Sequence, residues 1–165
     1  IAFADRVLPG GMTRLEVSAP PNLLSVVHKA LLEKISYPCK VRYLKMTDRQ
    51  NGQLPKPESY VAVEISKEQL RQATEDFQDL FYEDGRHQLW ILGKDNEQIV
   101  LDELGMMYVY PDDFLFREVL LQMGWSTEKH EGIDTRDYVM VHFRSVADEQ
   151  ERQLFQRFGL TRWEG

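Results

Sequence analysis

Three short apolar runs, joined by connections too short to hold a helix, constrain the fold more than any other feature of this sequence. The runs are QLWIL (88–92), QIVLDE (98–103) and MMYVY (106–110), and the connections are KDNE (94–97) and Leu104-Gly105. Parallel neighbours need a crossover of a dozen or more residues, so runs joined this closely pair antiparallel. The sequence therefore predicts a three-stranded antiparallel meander in the middle of the chain.

A regular series of strand and helix patterns precedes the meander. Alternating or β-branched runs predict strands at 14–19, 39–46 and 59–65. Apolar residues at helical spacing predict one helix over 23–35 and another between Ser66 and Gly85. Asn22 is a suitable N-cap for the first helix, and Ser66 with Gln69 forms a capping box for the second. With the strand at 88–92, the order is βαββαβ, which is that of the ferredoxin-like, or split βαβ, arrangement.

The remaining patterns complete an α+β fold class. A helix at 113–123, a strand at 138–143 and a helix at 145–160 give the order ββαβα after the first six elements. We therefore predict a mainly antiparallel sheet with helices packed on it. No linker rich in Pro, Gly or Ser divides the chain, so residues 1–165 are expected to form a single domain, with 94–97 as the alternative point of subdivision.

Charge and composition exclude several classes of partner. The chain carries 20 basic and 27 acidic residues, a net charge of −7, and the segment 95–137 holds 11 acids against three bases. A nucleic-acid binder needs a basic face, so we expect no nucleic acid. No apolar run approaches the roughly 20 residues of a membrane span, and the first residues do not resemble a signal peptide. Cys39 is the only cysteine, which favours a reducing, cytoplasmic location.

The adjacent acids Asp112 and Asp113, in YVYPDDFLF, raise the question of a catalytic pair. Two carboxylates can divide acid and base roles when both converge on one substrate. Neighbouring residues on a helix point about 100° apart, so these two converge poorly. A helix start explains them better, because carboxylates cap free N–H groups and Pro111 suits the first turn.

The remaining candidates for catalysis are scattered. His142 and Tyr138 share one face of the strand at 138–143, and with Asp134 and Asp102 they could line a pocket between the sheet and the loop 126–137. Asp102, Glu103, Asp134 and Asp137 are oxygen donors that could gather round a hard cation, but their spacing matches no metal-binding loop. No phosphate-binding glycine loop, GxSxG elbow or HExxH motif is present, so we expect no cofactor and no metal and lean against an enzyme. His28 and Cys39 are interpreted as packing residues.

The helix that begins after the two aspartates is apolar on nearly every side. Phe116, Leu120 and Met123 form an ordinary core stripe, while Phe114 and Leu121 lie on the other side. Either the final helix covers that second side or it is an exposed interface. Tyr110, Trp125 and Trp163, at the ends of elements, could act as interface anchors, or they could fold back over the core.

These observations favour a non-enzymatic domain that works by protein–protein contact, with a second copy in a homodimer as one candidate partner. A small enzyme or ligand binder that uses the pocket described above is the first alternative. An acidic inhibitor or immunity-type protein that binds a basic partner is the second.

Overall fold

In a computed structural model, residues 2–48, 52–124 and 143–164 are described, and they form one antiparallel eight-stranded sheet with five helices. The strands are β1 (Ala2–Val7), β2 (Thr13–Ser18), β3 (Cys39–Asp48), β4 (Gly52–Ile65), β5 (His87–Leu92), β6 (Gln98–Leu101), β7 (Met106–Tyr110) and β8 (Thr161–Arg162). The helices are α1 (Pro21–Leu32), α2 (Lys67–Asp76), α3 (Gln78–Glu83), α4 (Phe114–Gln122) and α5 (Ser145–Phe158). The α+β class and the antiparallel sheet are as predicted.

The order of strands in the sheet is β1-β2-β7-β6-β5-β3-β4-β8. The predicted meander β5–β6–β7 is confirmed and lies in the middle, with a hairpin on each side of it. The ferredoxin-like order is not confirmed. The first strand of the predicted series, β2, pairs with β1 and β7, and three strands separate it from β3, the next strand along the chain. Neither β1 nor the two-residue β8 is among the predicted strands.

All five helices bury apolar side chains in one core cluster, against one face of the sheet. Their contributions include Leu31 of α1, Leu70 of α2, Leu80 of α3, Phe116 of α4 and Leu154 of α5. Phe155 of α5 meets the rings of Tyr43 on β3 and Tyr60 on β4, with centroid distances of 5.2 and 4.7 Å. Because side chains alternate along a strand, the residues next to these tyrosines point to the opposite face.

The helix boundaries follow local signals, with two corrections. The capping box of Ser66 and Gln69 is present as predicted. Asn22, however, is not the N-cap of α1, because the helix already begins at Pro21 and Pro20 holds the cap position without a side-chain bond. The helix predicted between Ser66 and Gly85 is also interrupted at Phe77, whose backbone leaves helical geometry (φ −115°, ψ 39°) while its ring is fully buried. The strand predicted at 138–143 lies almost wholly outside the described residues.

Candidate functional site

The face of the sheet opposite the helices is covered by no helix in the described part of the chain, and we call it the open face. One row of paired residues on this face crosses all eight strands. The strand registers place one residue of every strand in this row: Ala4, Glu16, Tyr108, Val100, Trp90, Arg42, Val61 and Thr161. Two arginine–aromatic groups stand on this face, one toward each edge of the sheet.

The first group is centred on Arg14, whose guanidinium is fully engaged by its neighbours. Its Cζ lies 4.5 Å from the ring centroid of Tyr108 and 6.0 Å from that of Tyr110. Its Nη1 donates to the Tyr110 hydroxyl at 2.9 Å, and its Nε and Nη2 donate to the Glu16 carboxylate at 2.9 and 2.5 Å. Arg6 also pairs with Glu16, at 3.4 Å, so this carboxylate is buried but compensated.

The second group is centred on Arg42, which is flanked by two tryptophans. Its Cζ lies 5.1 Å from the ring centroid of Trp90 on β5 and 5.2 Å from that of Trp163, which follows β8. These distances are within the range of cation–π attraction. The Arg42 Nε donates to Ser59 Oγ at 2.7 Å, and the Ser59 carbonyl accepts the main-chain N–H of Trp163 at 2.8 Å. Ser59 therefore holds the Arg42 side chain through its hydroxyl and the Trp163 main chain through its carbonyl.

The Trp90 ring is also held by contacts that do not involve Arg42. Its indole N–H donates to Gln88 Oε1 at 3.0 Å, and Gln88 Nε2 donates to Glu103 Oε2 at 2.7 Å. The indole also stands beside Val100, which is its cross-strand partner and is buried although it points to the open face. The Trp90 ring is thus fixed by a hydrogen-bond chain and by packing.

The histidines on the helix side of the sheet are sealed from solvent. The His87 ring stacks on Tyr43 at 4.6 Å, and desolvation lowers its pKa to about 4. His28 is hydrogen-bonded through Nδ1 to the Tyr82 hydroxyl at 3.0 Å, and desolvation lowers its pKa to about 3. Both rings are neutral near pH 7 and buried, which fits structural roles, and His28 is fully rather than partly buried.

Asp102, the one predicted catalytic candidate within the described residues, shapes a turn. Its Oδ1 accepts the main-chain N–H groups of Leu104 and Met106, at 2.9 and 2.8 Å, and its Oδ2 accepts the Tyr108 hydroxyl at 3.1 Å. Burial raises its pKa, although these hydrogen bonds oppose the shift. These bonds fix the connection between β6 and β7. His142, Tyr138 and Asp134 lie outside the described residues, so the pocket predicted between the sheet and the loop 126–137 stays a prediction.

Asp112 and Asp113 have separate tasks at the start of α4. Asp113 is the N-cap, and its Oδ1 accepts the main-chain N–H of Phe116 at 3.2 Å. Asp112 forms a two-pronged ion pair with Arg117, with both distances 2.6 Å. The helix-start interpretation is confirmed for this pair of residues, and each carboxylate already has a partner.

One side of α4 is exposed in the described part of the chain. Phe114 is 74% exposed and Leu121 49% exposed, whereas Phe116 and Leu120 are buried. Tyr110, another predicted interface residue, is half-buried and bonded to Arg14. Trp125 lies outside the described residues. The interface assignment of these residues remains a prediction.

A shallow depression lies at one end of β3, β4 and β5. It has a volume of about 540 Å³, and its lining includes Cys39, Lys40, Glu64, Lys94 and Asn96. Burial raises the pKa of the Cys39 thiol to about 12, so this sulfur is a poor nucleophile near neutral pH and is consistent with a packing role.

Metal and membrane features can be stated for the described residues alone. Within residues 2–48, 52–124 and 143–164, no three His, Cys, Asp or Glu side chains are grouped so that they could hold a metal ion. In the same ranges, none of the helices combines the length and the apolar composition needed to cross a bilayer.

The group around Arg42 is not among the sites predicted from the sequence, although part of its signal is present there. Alternation in 39–46 and 88–92 places Arg42 and Trp90 on the faces opposite their apolar neighbours. That both belong to adjacent strands, and that Trp163 returns to them from the end of the chain, depends on strand order. Comparisons of the chain with protein-family models, with curated proteins and with solved structures find no match.

Proposed function

We propose that this chain is a protein-binding domain that contacts its partner through the open face of the sheet. The observation that carries the proposal is the composition of that face, where Trp90, Trp163, Tyr108 and two arginines stand among apolar side chains. Tryptophan, tyrosine and arginine are the residues most enriched at the energetic centres of protein interfaces. Trp163 is 54% exposed, so part of this surface is accessible to a partner.

The rigidity of the aromatic residues supports the proposal. The Trp90 indole donates to Gln88 and the Tyr108 hydroxyl donates to Asp102, so both of these side chains are fixed, while the main chain of Trp163 is bonded to Ser59. Side chains that are already fixed lose less conformational entropy on association than free ones, so they contribute more of their contact energy to affinity. A packed, pre-ordered face of this kind is suited to recognition.

The acidic-inhibitor alternative has weaker support, because several surface acids of the helices are locally neutralised. Ion pairs within or between helices join Glu68 to Arg71, Asp76 to Arg157, Asp79 to Arg144 and Glu149 to Arg152. A basic partner would have to compete with these arginines for the same carboxylates.

Site-specific photo-crosslinking in the cell of origin tests the proposed function. A benzophenone amino acid replaces Val61, which lies in the row next to Arg42, or in a matched control replaces Val26, an exposed valine of α1. We expect a discrete protein adduct from position 61 and none of the same mass from position 26. Equal adducts from both positions, or none from position 61, would contradict a partner on the open face.

Self-association through α4 is a second candidate, favoured by the exposure of Phe114 and Leu121. It uses a different surface from the open face, so the two proposals can be tested separately. We also expect an intracellular, reducing location, because Cys39 is buried and unpaired.

A further inference from the structure

The two arginine–aromatic groups of the open face differ in one respect. Arg14 has an internal carboxylate, Glu16, whereas no described carboxylate forms an ion pair with Arg42. Both guanidiniums lie over aromatic rings, and both are partly buried. A partly buried guanidinium normally acquires an anionic partner, because its charge is costly to desolvate alone. The contrast between the two arginines points to Arg42 as the position at which an anion from a binding partner would pair.

We infer that Arg42 is a receptor for a carboxylate carried by the partner of the open face, namely an Asp or Glu side chain. This inference rests on the proposed function and specifies the chemistry of the partner. A guanidinium has five N–H donors, and among the described contacts of Arg42 only the Nε–H is used, by Ser59. The two Nη groups remain, and a planar carboxylate can accept two parallel hydrogen bonds from such a fork.

The surroundings of Arg42 favour a singly charged anion over phosphate. The next cation on the same strand face is Lys40, two residues away, and the chain as a whole has a net charge of −7. A carboxylate needs only one guanidinium fork for two parallel hydrogen bonds, and Arg42 supplies one fork, so a monoanion is matched by this single cation. Glu58 of β4 does not compete for Arg42, because it pairs with Arg162 and Tyr60 on the helix side.

The residues around the receptor also indicate what flanks the carboxylate. Trp90 and Trp163 stand on the two sides of Arg42, and Leu44, Leu92 and Val61 occupy neighbouring positions of the open face. Their surfaces suit an apolar residue next to the acidic one in the partner. The rings also exclude water from the ion pair, which strengthens it relative to a fully solvated pair.

The experiment uses small probes that isolate this one contact. The indole N–H resonances of the tryptophans are followed by NMR during titration with N-acetyl-glutamate α-amide, with the neutral N-acetyl-glutamine α-amide, and with inorganic phosphate. We expect a saturable shift of the Trp90 and Trp163 signals with the glutamate probe, with a Kd in roughly the millimolar range expected of a single contact. We expect no saturable shift with the glutamine probe and weaker binding of phosphate.

Two variants that each remove one positive charge distinguish specific binding at Arg42 from a general electrostatic effect of the surface. Arg42→Gln should weaken the glutamate probe by about tenfold or more, whereas Lys40→Gln, on the same strand and face, should change its Kd by less than about twofold. Arg42→Lys keeps the charge and loses the fork, so it should weaken the probe several-fold and serves in place of Arg42→Gln if that variant does not fold by circular dichroism.

Four results would overturn the inference: no saturable shift, equal binding of the glutamine probe, tighter binding of phosphate, or equal losses in the two charge variants. None of them affects the adduct expected from position 61, so failure of the carboxylate receptor is distinguishable from failure of the proposed function. Loss of the adduct with an intact probe response would contradict the protein-binding domain and leave an anion site.

Discussion

Arg86 and Asp84 form a two-point contact in the interior of the protein. The Asp84 Oδ1 accepts both the main-chain N–H of Arg86, at 3.1 Å, and its Nε, at 2.8 Å, while the two side chains are 0% and 3% exposed. Arg86 continues through Nη1 to Asp148 on α5, at 2.6 Å. The pair therefore links the segment before β5 to the last helix.

Breaking this pair should be strongly destabilising. Arg86→Met removes the guanidinium that pairs with the buried Asp84 carboxylate and leaves that carboxylate its main-chain N–H donors, from residue 86 and from Arg144. Breaking a buried ion pair by removing one partner costs about 3–5 kcal/mol of unfolding free energy. Urea unfolding followed by circular dichroism measures the change. Arg71→Met, which removes an exposed i,i+3 pair with Glu68, is the matched control and should leave the midpoint nearly unchanged. Equal midpoints for the two variants would show that the buried pair is not needed.

Stability should decrease in mild acid because of two buried histidines. Desolvation lowers the pKa of His28 to about 3 and that of His87 to about 4, while the unfolded value is about 6.5. Between the folded and the unfolded pKa values, the unfolded chain binds more protons than the folded one. The contribution of each neutral histidine to the unfolding free energy is therefore fully present above pH about 6.5 and is lost as the pH falls below it. The slope of the unfolding free energy against pH approaches about 1.4 kcal/mol per pH unit for each histidine.

Urea unfolding at several pH values between about 7.5 and 5 measures this loss, and NMR of the imidazole carbons checks its cause. In the folded protein, the ring signals of His28 and His87 should not titrate in that range. A ring that titrated near pH 6.5 without unfolding would contradict the assignment.

The two aspartates before α4 should respond differently to substitution. Asp113→Ala removes the N-cap bond to Phe116 and should lower the unfolding free energy by about 1 kcal/mol. Asp113→Asn retains a capping oxygen and should be nearly neutral. Asp112→Ala breaks a partly exposed ion pair with Arg117 and should cost about 0–1 kcal/mol. Denaturant titrations of the three variants check the order, and equal losses for Ala and Asn at position 113 would refute the cap.

If α4 mediates self-association, its exposed side chains should be dispensable for folding but not for assembly. Phe114→Ser with Leu121→Ser should change the unfolding free energy of the monomer by no more than about 0.5 kcal/mol per site. Size-exclusion chromatography with light scattering should show a dimer for the natural sequence and a monomer for the double variant. Val26→Ser, at an exposed valine of α1, is the control and should remain dimeric. A natural sequence that is monomeric across micromolar concentrations would remove the homodimer.

Local patterns predict the elements of this protein better than their arrangement. The capping box at Ser66 and the cap at Asp113 each follow from residues within four positions of one another. The meander follows from its connections, which are too short for anything but antiparallel pairing of neighbouring strands. The break at Phe77 is not predicted because Phe77 keeps its place in the apolar stripe of Leu70, Ala73 and Leu80, so the helical spacing continues across it. The ferredoxin-like order failed to appear because alternation identifies which face of a strand is buried but not which strand lies beside it.

The candidate site illustrates the same limit. Arg42 and Trp90 are cross-strand neighbours because β3 pairs with β5, and Trp163 joins them because the last residues pair with β4. These contacts join parts of the chain far apart in sequence, so spacing alone could not reveal them. The exposed side of α4, by contrast, follows from the periodicity of a single helix, which is why Phe114 and Leu121 could be singled out beforehand.

The position of β2 has a consequence for synthesis of the chain. Leu15 pairs with Val109, so the N-terminal hairpin has its only described neighbour in a strand made much later. Chains are made N-terminus first at roughly 5–20 residues per second, so β2 waits several seconds with an unpaired edge while the ribosome reaches β7. A pause in translation between these strands would prolong that interval, and the nascent chain would then depend on chaperones to keep the hairpin from pairing with other chains.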